Sequence, residues 1–188
     1  MTPRILRALA ASLLAIATVT GLPSCTQPLP VSPDNATIQS AEVTAVIDGD
    51  TLVIRTIDSE ARVRLIGIDT PEINRDGGPD ECYAQEARSE LNTLAYGRTV
   101  ELHSDPSQGD VDHYGRLLRH AYIDGYSIAQ VLIGTGAGHE YTHSAPYVGQ
   151  AAHLTAQHAA QAAGQGLWAQ CPQPPASWAL NHPRSTNV

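Results

Sequence analysis

Residues 42–47, 51–57 and 61–68 are three runs rich in Val, Ile and Leu, separated only by D-G-D (Asp48 to Asp50) and by Asp58-Ser59-Glu60. Those gaps leave room for turns and nothing else, so the runs pair as a β-meander. The rest of the chain must build on that frame. Tyr83, Ala87, Leu91, Leu94 and Ala95 recur at helical spacing, which predicts a helix over 81–96, capped by Asp80 and stopped by Gly97. Residues 99–103 and 117–123 read as a fourth and a fifth strand around an acidic loop, 104–113. Ser127 is placed to cap a short helix that Gly134 ends, and Ala-rich 146–163 reads as a third helix with Ala151, Leu154, His158 and Ala162 on one stripe. From 165 onward an extended end is expected. Five short strands with about three helices make an α+β, mainly β chain, and suit a Greek-key barrel.

A length of 188 residues suits one domain with appendages. Arg4 and Arg7 precede an apolar stretch, 8–20, that is too short to span a bilayer, so residues 1–24 read as an export signal. Leu22-Pro23-Ser24-Cys25 resembles a lipoprotein cleavage site, which makes Cys25 a lipid-bearing N-terminus. Ordinary signal cleavage, leaving Cys25 as a thiol, is the alternative. Residues 25–40 then form a tether, 41–171 the domain and 172–188 a loose tail. The expected location is the outer face of the cell membrane or the medium, and the expected state a monomer. In an oxidising compartment the remaining pair, Cys82 and Cys171, reads as a disulfide.

The chain has no Lys, and its net charge of −8 becomes more negative by two when Arg4 and Arg7 leave with the signal. Proteins that hold nucleic acid by general backbone neutralisation are basic. A polyanion must here be held locally, at a site with its own cation. The sequence offers such a site. Asp50 and Asp69 stand at strand ends, and with the Thr70 carbonyl they suit Ca²⁺, which takes oxygen ligands in flexible geometry. Glu72 can hold and deprotonate a water. Arg64 and Arg116, with no other obvious partners, present planar forks that grip phosphate oxygens. Arg64 and Asp69 are five positions apart, so an unbroken strand points them to opposite faces. A bulge at Gly67 is the expected remedy.

The segments V-I-D-G-D-T, R-L-I-G-I-D-T-P-E and D-H-Y-G-R, with G-L-W at 166–168, resemble the staphylococcal-type nucleases in residue type, order and internal spacing. The resemblance runs from Val43 to Trp168. It implies an OB-fold barrel and Ca²⁺-dependent cleavage of DNA and RNA that leaves 3′-phosphates. It implies Asp50, Asp69 and the Thr70 carbonyl as metal ligands, and Arg64, Glu72 and Arg116 as catalytic residues. Tyr114 and His113 fall beside the neighbouring phosphate or sugar, and Tyr141 by the base. His113 stands where the family often has Lys, and this chain is acidic where well-studied members are basic. Single-stranded DNA or RNA is therefore the expected substrate.

His139-Glu140-Tyr141-Thr142-His143 also fits H-E-x-x-H, a zinc-protease pattern that works only on a helix. Glycines at 134, 136 and 138 and Pro146 make this stretch poor helix material. His153 and His158 do not quite share a helix face, so they are not expected to bind metal.

Overall fold

The structure is a computed structural model that describes residues 37–57 and 59–172. The expected signal, Cys25, most of the tether and the tail from 173 onward lie outside the described residues.

After β1 (Ile38–Val46) the chain bends at residues 48–50 and returns as β2 (Thr51–Arg55), with β3 (Glu60–Leu65) after it. Both junctions pair antiparallel, as the meander predicts. β1 is longer than its neighbours and serves two of them. From Ile38 to Glu42 it pairs with β5 (Thr99–His103), and from Glu42 to Val46 with β2. A register shift between Val43 and Ala45 accompanies the change of partner. Such bulges bend a strand around a barrel corner. β5 pairs antiparallel with β6 (Leu117–Ile123), and β6 runs parallel to β3 through Val63↔Leu117 and Leu65↔Arg119. That last ladder closes five strands into an OB-fold-like Greek-key barrel. β7 (Tyr126–Ser127) extends β6.

Val43, Leu52, Ile54, Val63, Val100 and Leu102 fill the barrel at 0% exposure. With no Phe in the chain, the filling is aliphatic, and Ala-faced helices close over it. Helix α1 (Ala84–Ala95) buries Ala87, Leu91 and Ala95, and α2 (Ile128–Thr135) buries Leu132 and Ile133. β4 (Ile68–Asp69) pairs with β8 (His139–Glu140), and α3 (Gln150–Ala163) and α4 (Leu167–Gln170) complete the chain. Cys82 and Cys171 form a disulfide. Buried His120 of β6 pairs with Asp105 at 2.9 Å, and Asp105 also accepts the Val148 N–H at 2.8 Å, which ties the barrel to the approach to α3.

Four expectations change. Helix α1 starts at Ala84, and Asp80 does not cap it. Its carboxylate instead accepts the Asn74 N–H (2.9 Å) and the Gln85 side-chain amide (2.7 Å), so loop bonds win over the helix start. Ser127 caps α2 as expected, but α2 runs through Gly134 and ends where Gly136 takes a φ of 75°. Helix α3 buries His153 and Ala160, while Ala151, His158 and Ala162 are exposed. An Ala-rich helix carries little directional apolar signal, so polar contacts choose its face. His153 Nδ1 lies 3.1 Å from the Gly67 carbonyl, and Gln157 accepts the Glu140 N–H at 2.7 Å. The expected extended run after 165 is interrupted by α4.

Candidate active site

The bend at residues 48–50 carries Asp50 inside. Gly49 permits this, because a Cβ there would lie 2.7 Å from Thr70 Oγ1 and 2.8 Å from the Ala87 Cβ. Asp50 is 1% exposed. Its Oδ2 accepts the Thr70 N–H (3.2 Å) and hydroxyl (3.3 Å), and its Oδ1 accepts the Thr51 hydroxyl (3.1 Å). Arg64 lies opposite Thr51 across the β2–β3 ladder. Its Nη2 reaches Asp50 Oδ2 at 3.0 Å and Asp69 Oδ1 at 2.8 Å, while Nη1 donates to the Leu65 (2.8 Å) and Ile68 (2.7 Å) carbonyls.

Arg64 and Asp69 meet because of Gly67, though not through a bulge. β3 ends at Leu65, residues 66–67 make a tight turn with Gly67 at φ 83°, and β4 begins at Ile68. A turn breaks the alternation of faces that would have separated the two side chains. The turn is held from outside. The Tyr147 hydroxyl lies 3.1 Å from the Gly67 carbonyl, its one proton shared between that oxygen and Glu140 Oε1, and the Tyr141 N–H donates to the same carbonyl at 3.3 Å.

Arg116 is set by Asp112, whose carboxylate accepts the Tyr114 and Arg116 N–H groups (both 2.9 Å) and Arg116 Nε (2.7 Å). Burial would raise the Asp112 carboxyl, but these bonds outweigh it and hold it below the usual range. Arg116 Nη1 then donates to the Thr51 hydroxyl at 3.3 Å. The sequence suggested two guanidiniums without partners. The structure gives each a carboxylate that aims it. Tyr114 is exposed, with the Arg116 guanidinium 5.2 Å above its ring and the His113 ring 3.7 Å away. Tyr141 follows β8, beside the Gly67 turn.

Glu72 is exposed, with its backbone gripped by Glu81. Its N–H donates to Glu81 Oε2 (2.9 Å), and its carbonyl accepts the Glu81 N–H (3.0 Å). The residue lies at the surface, but neighbouring atoms partly desolvate the carboxyl, and this, then the charges of Asp48 and Asp69, raises it. Burial pushes Asp50 up to about 7 against the pull of Arg64, and Asp48, Asp69 and Glu72 push the same way. Burial would lower Arg64, but Asp50 and Asp69 outweigh it. Four carboxylates thus act on one guanidinium, an excess of negative charge carried by oxygen donors. No three His, Cys, Asp or Glu side chains form a metal cage among the described residues. Asp50 and Asp69, which meet on Arg64 Nη2 at 3.0 and 2.8 Å in a field this negative, still fit a hard divalent cation, which accepts waters for its other positions.

The rival zinc pattern does not assemble. His139 and Glu140 are in β8, His143 is exposed in a loop, and Glu140 accepts the Tyr147 hydroxyl at 3.1 Å. His153 is buried and His158 is exposed. Sequence reasoning assigned no part to Thr51, Asp48 or Asp112. Thr51 links Asp50 to Arg116, Asp48 accepts the Asp50 N–H at 3.3 Å, and Asp112 aims Arg116. The only signal was their place inside the quoted motifs.

The family profile described as Staphylococcal nuclease homologue matches residues 62–170. This is a class of nuclease-type hydrolases acting on nucleic acid. The chain is 28% identical to a thermonuclease of Staphylococcus hyicus over 134 residues, 71% of this chain and 78% of that one. It is 30% identical to an uncharacterized endonuclease of Escherichia coli O157:H7 over 138 residues, 72% and 82% of the two chains. A Haemophilus influenzae uncharacterized endonuclease is 31% identical over 144 residues, 74% of this chain and 72% of that one. The chain belongs to the staphylococcal nuclease homologue family.

Proposed function

We propose that this chain is an exported, Ca²⁺-dependent nuclease that hydrolyses phosphodiester bonds of DNA and RNA with little sequence preference and leaves 3′-phosphates. One observation carries the reading. The Thr51 hydroxyl joins the Asp50–Arg64–Asp69 cluster to Arg116, so both guanidinium forks and the carboxylates converge. Asp50, Asp69 and the Thr70 carbonyl would hold Ca²⁺, which supplies positive charge to phosphoryl oxygens when bound. Glu72, made more basic by desolvation of its carboxyl and then by the charges of Asp48 and Asp69, takes the proton of the attacking water. The water oxygen bonds to phosphorus, the bond to the 5′ oxygen breaks, and solvent protonates the departing oxygen. Arg64 and Arg116 stabilise the charge that grows on the phosphoryl oxygens. Tyr114 and His113, exposed beside Arg116, contact the adjoining phosphate or sugar, and Tyr141 the base. The acidic net charge favours single strands over long duplexes. The disulfide and the leader-like N-terminus support export, with Cys25 as a lipid tether or the chain secreted, as a monomer.

The test is cleavage of single-stranded DNA with Ca²⁺, with chelator, and by Glu72→Gln. Chelation is expected to abolish cleavage, and Glu72→Gln to slow it by roughly 10²–10⁴-fold while binding persists. A strand that is bound but never cut under any condition would reduce the chain to a binding module and end the reading.

A further inference from the structure

A concavity lies next to the carboxylates. It has a volume of about 260 Å³ and is lined by Val46, Ile47, Ile73, Arg75 and Arg88. Val46 and Ile47 lead directly into Asp48 and Asp50, while Ile73 and Arg75 directly follow Glu72. The pocket is therefore continuous in the chain with both acidic segments of the site, and shares no segment with the Tyr114 loop. Arg75 Nη2 lies 3.4 Å from the Ile47 carbonyl and 3.8 Å from Asp48 Oδ2, with more than half of its side chain exposed. Arg88 spends its Nε edge on the Val46 carbonyl at 3.3 Å, which fixes the guanidinium at the rim. Among the described residues no carboxylate pairs with Arg88, in a chain with 19 acids. The loop that presents Arg75 is fastened from within. The Asn74 side chain accepts the Asp76 (2.8 Å) and Gly78 (3.1 Å) N–H groups, and Asp80 accepts the Asn74 N–H (2.9 Å).

Resting on the nuclease reading above, we infer that this pocket is a substrate subsite for the nucleotide next to the scissile phosphate, on the Glu72 side of the site. The walls are branched aliphatic side chains that suit a base face. The rim carries two guanidiniums, which grip phosphate oxygens or stack on bases. The pocket is smaller than the several hundred Å³ that usually enclose a whole ligand, so it suits one unit of a molecule held elsewhere as well. Charge points to the same occupant. A chain with no Lys and a net charge of −8 draws no polyanion to itself in general, so paired guanidiniums beside a phosphodiester site are where a strand gains its hold.

The experiment compares a chromogenic nucleoside aryl phosphate, with a single phosphodiester, against a single-stranded oligonucleotide of about eight nucleotides. Arg88→Ala and Arg75→Ala are expected to raise KM for the oligonucleotide about fivefold more than for the small substrate. Each should flatten the dependence of log affinity on log salt by about 0.7. Arg88→Lys is expected to keep the salt slope while losing part of the affinity, since it keeps the charge but not the fork. Oligonucleotide binding is read separately by fluorescence anisotropy. Equal losses on both substrates would mean that the arginines act on the carboxylate centre or the fold, and would overturn the subsite. So would unchanged KM, salt slope and anisotropy. If the wild type cuts neither substrate, the nuclease reading fails by itself. Anisotropy then still decides the subsite, because both alanine variants must bind the oligonucleotide more weakly.

Discussion

Asp50 is buried among like charges and costs the metal-free protein stability. Burial, opposed by Arg64 but helped by Asp48, Asp69 and Glu72, pushes its carboxyl up to about 7, whereas an unfolded Asp titrates near about 3.9. Between those values the folded chain keeps a proton that the unfolded chain has lost. Stability contributed by Asp50 therefore falls as pH rises from about 4 to about 7, and then levels. Asn at this position removes the slope, and Arg64 keeps Asp69 and two carbonyls as partners. Metal-free Asp50→Asn is expected to be more stable than the wild type at pH 8 by roughly 1–3 kcal/mol, the gap closing toward pH 4, with cleavage lost. Urea melts at the two pH values decide it, and a less stable variant at pH 8 contradicts the charge argument. Thr51 gives a second prediction. Thr51→Val keeps the buried shape but removes the hydroxyl between Asp50 and Arg116, and is expected to lower kcat by roughly tenfold or more. Steady-state kinetics on single-stranded DNA check it. That Asp50, Arg64 and Asp69 come together was legible in the sequence, because charged groups beside strand ends need a reason. Thr51 was not, since a Thr opening a strand is ordinary until pairing sets Arg64 opposite it.

At the scale of elements, the turn between β3 and β4 decides whether Arg64 and Asp69 meet. Its grip comes from far along the chain. Tyr147 precedes α3 and His153 lies within it, and both stand 3.1 Å from the Gly67 carbonyl. A Cβ at position 67 would sit 2.4 Å from the Tyr147 ring, at a φ that L-residues avoid. Gly67→Ala is thus expected to cost about 2–4 kcal/mol from overpacking and backbone strain together. Tyr147→Phe leaves the packing but removes the hydroxyl from Gly67, Glu140 and His153, for about 1–3 kcal/mol. Denaturant unfolding measures both, and a Gly67→Ala variant as stable as wild type would show that the turn yields freely. The need for a device at Gly67 was readable from the five-residue offset between Arg64 and Asp69. Its form was not. Period-2 reasoning sees that alternation must break, yet a bulge and a turn break it equally well. The face of α3 was illegible for a related reason. Its orientation follows from His153 and Gln157 bonding to distant backbone, not from its alanines.

In the whole molecule, the order of strands followed from turns and periodicity, but barrel closure did not. The parallel β3–β6 ladder joins segments more than fifty residues apart, and no local pattern encodes it. Cysteine count, read with the expectation of export, did foretell the other long-range tie. Cys82 and Cys171 are joined across 89 positions, with Cα atoms 5.7 Å apart. A loop of that length contributes roughly 3–5 kcal/mol by restricting the unfolded chain. Its position adds a consequence that the count alone did not suggest. Cys82 is the neighbour of Glu81, and Glu81 holds both the N–H and the carbonyl of Glu72. The bridge therefore fastens the C-terminal end of the domain beside the anchor of the proposed general base. Replacing both cysteines by Ser is expected to lower unfolding free energy by about 3–5 kcal/mol. It is also expected to lower kcat by up to about tenfold with KM little changed, because Glu72 loses alignment while Arg64 and Arg116 keep theirs. Urea unfolding and steady-state kinetics, each with and without a phosphine reductant on the wild type, separate the two effects. Full kcat in a destabilised double variant would confine the bridge to stability and leave Glu72 fixed by Glu81 alone.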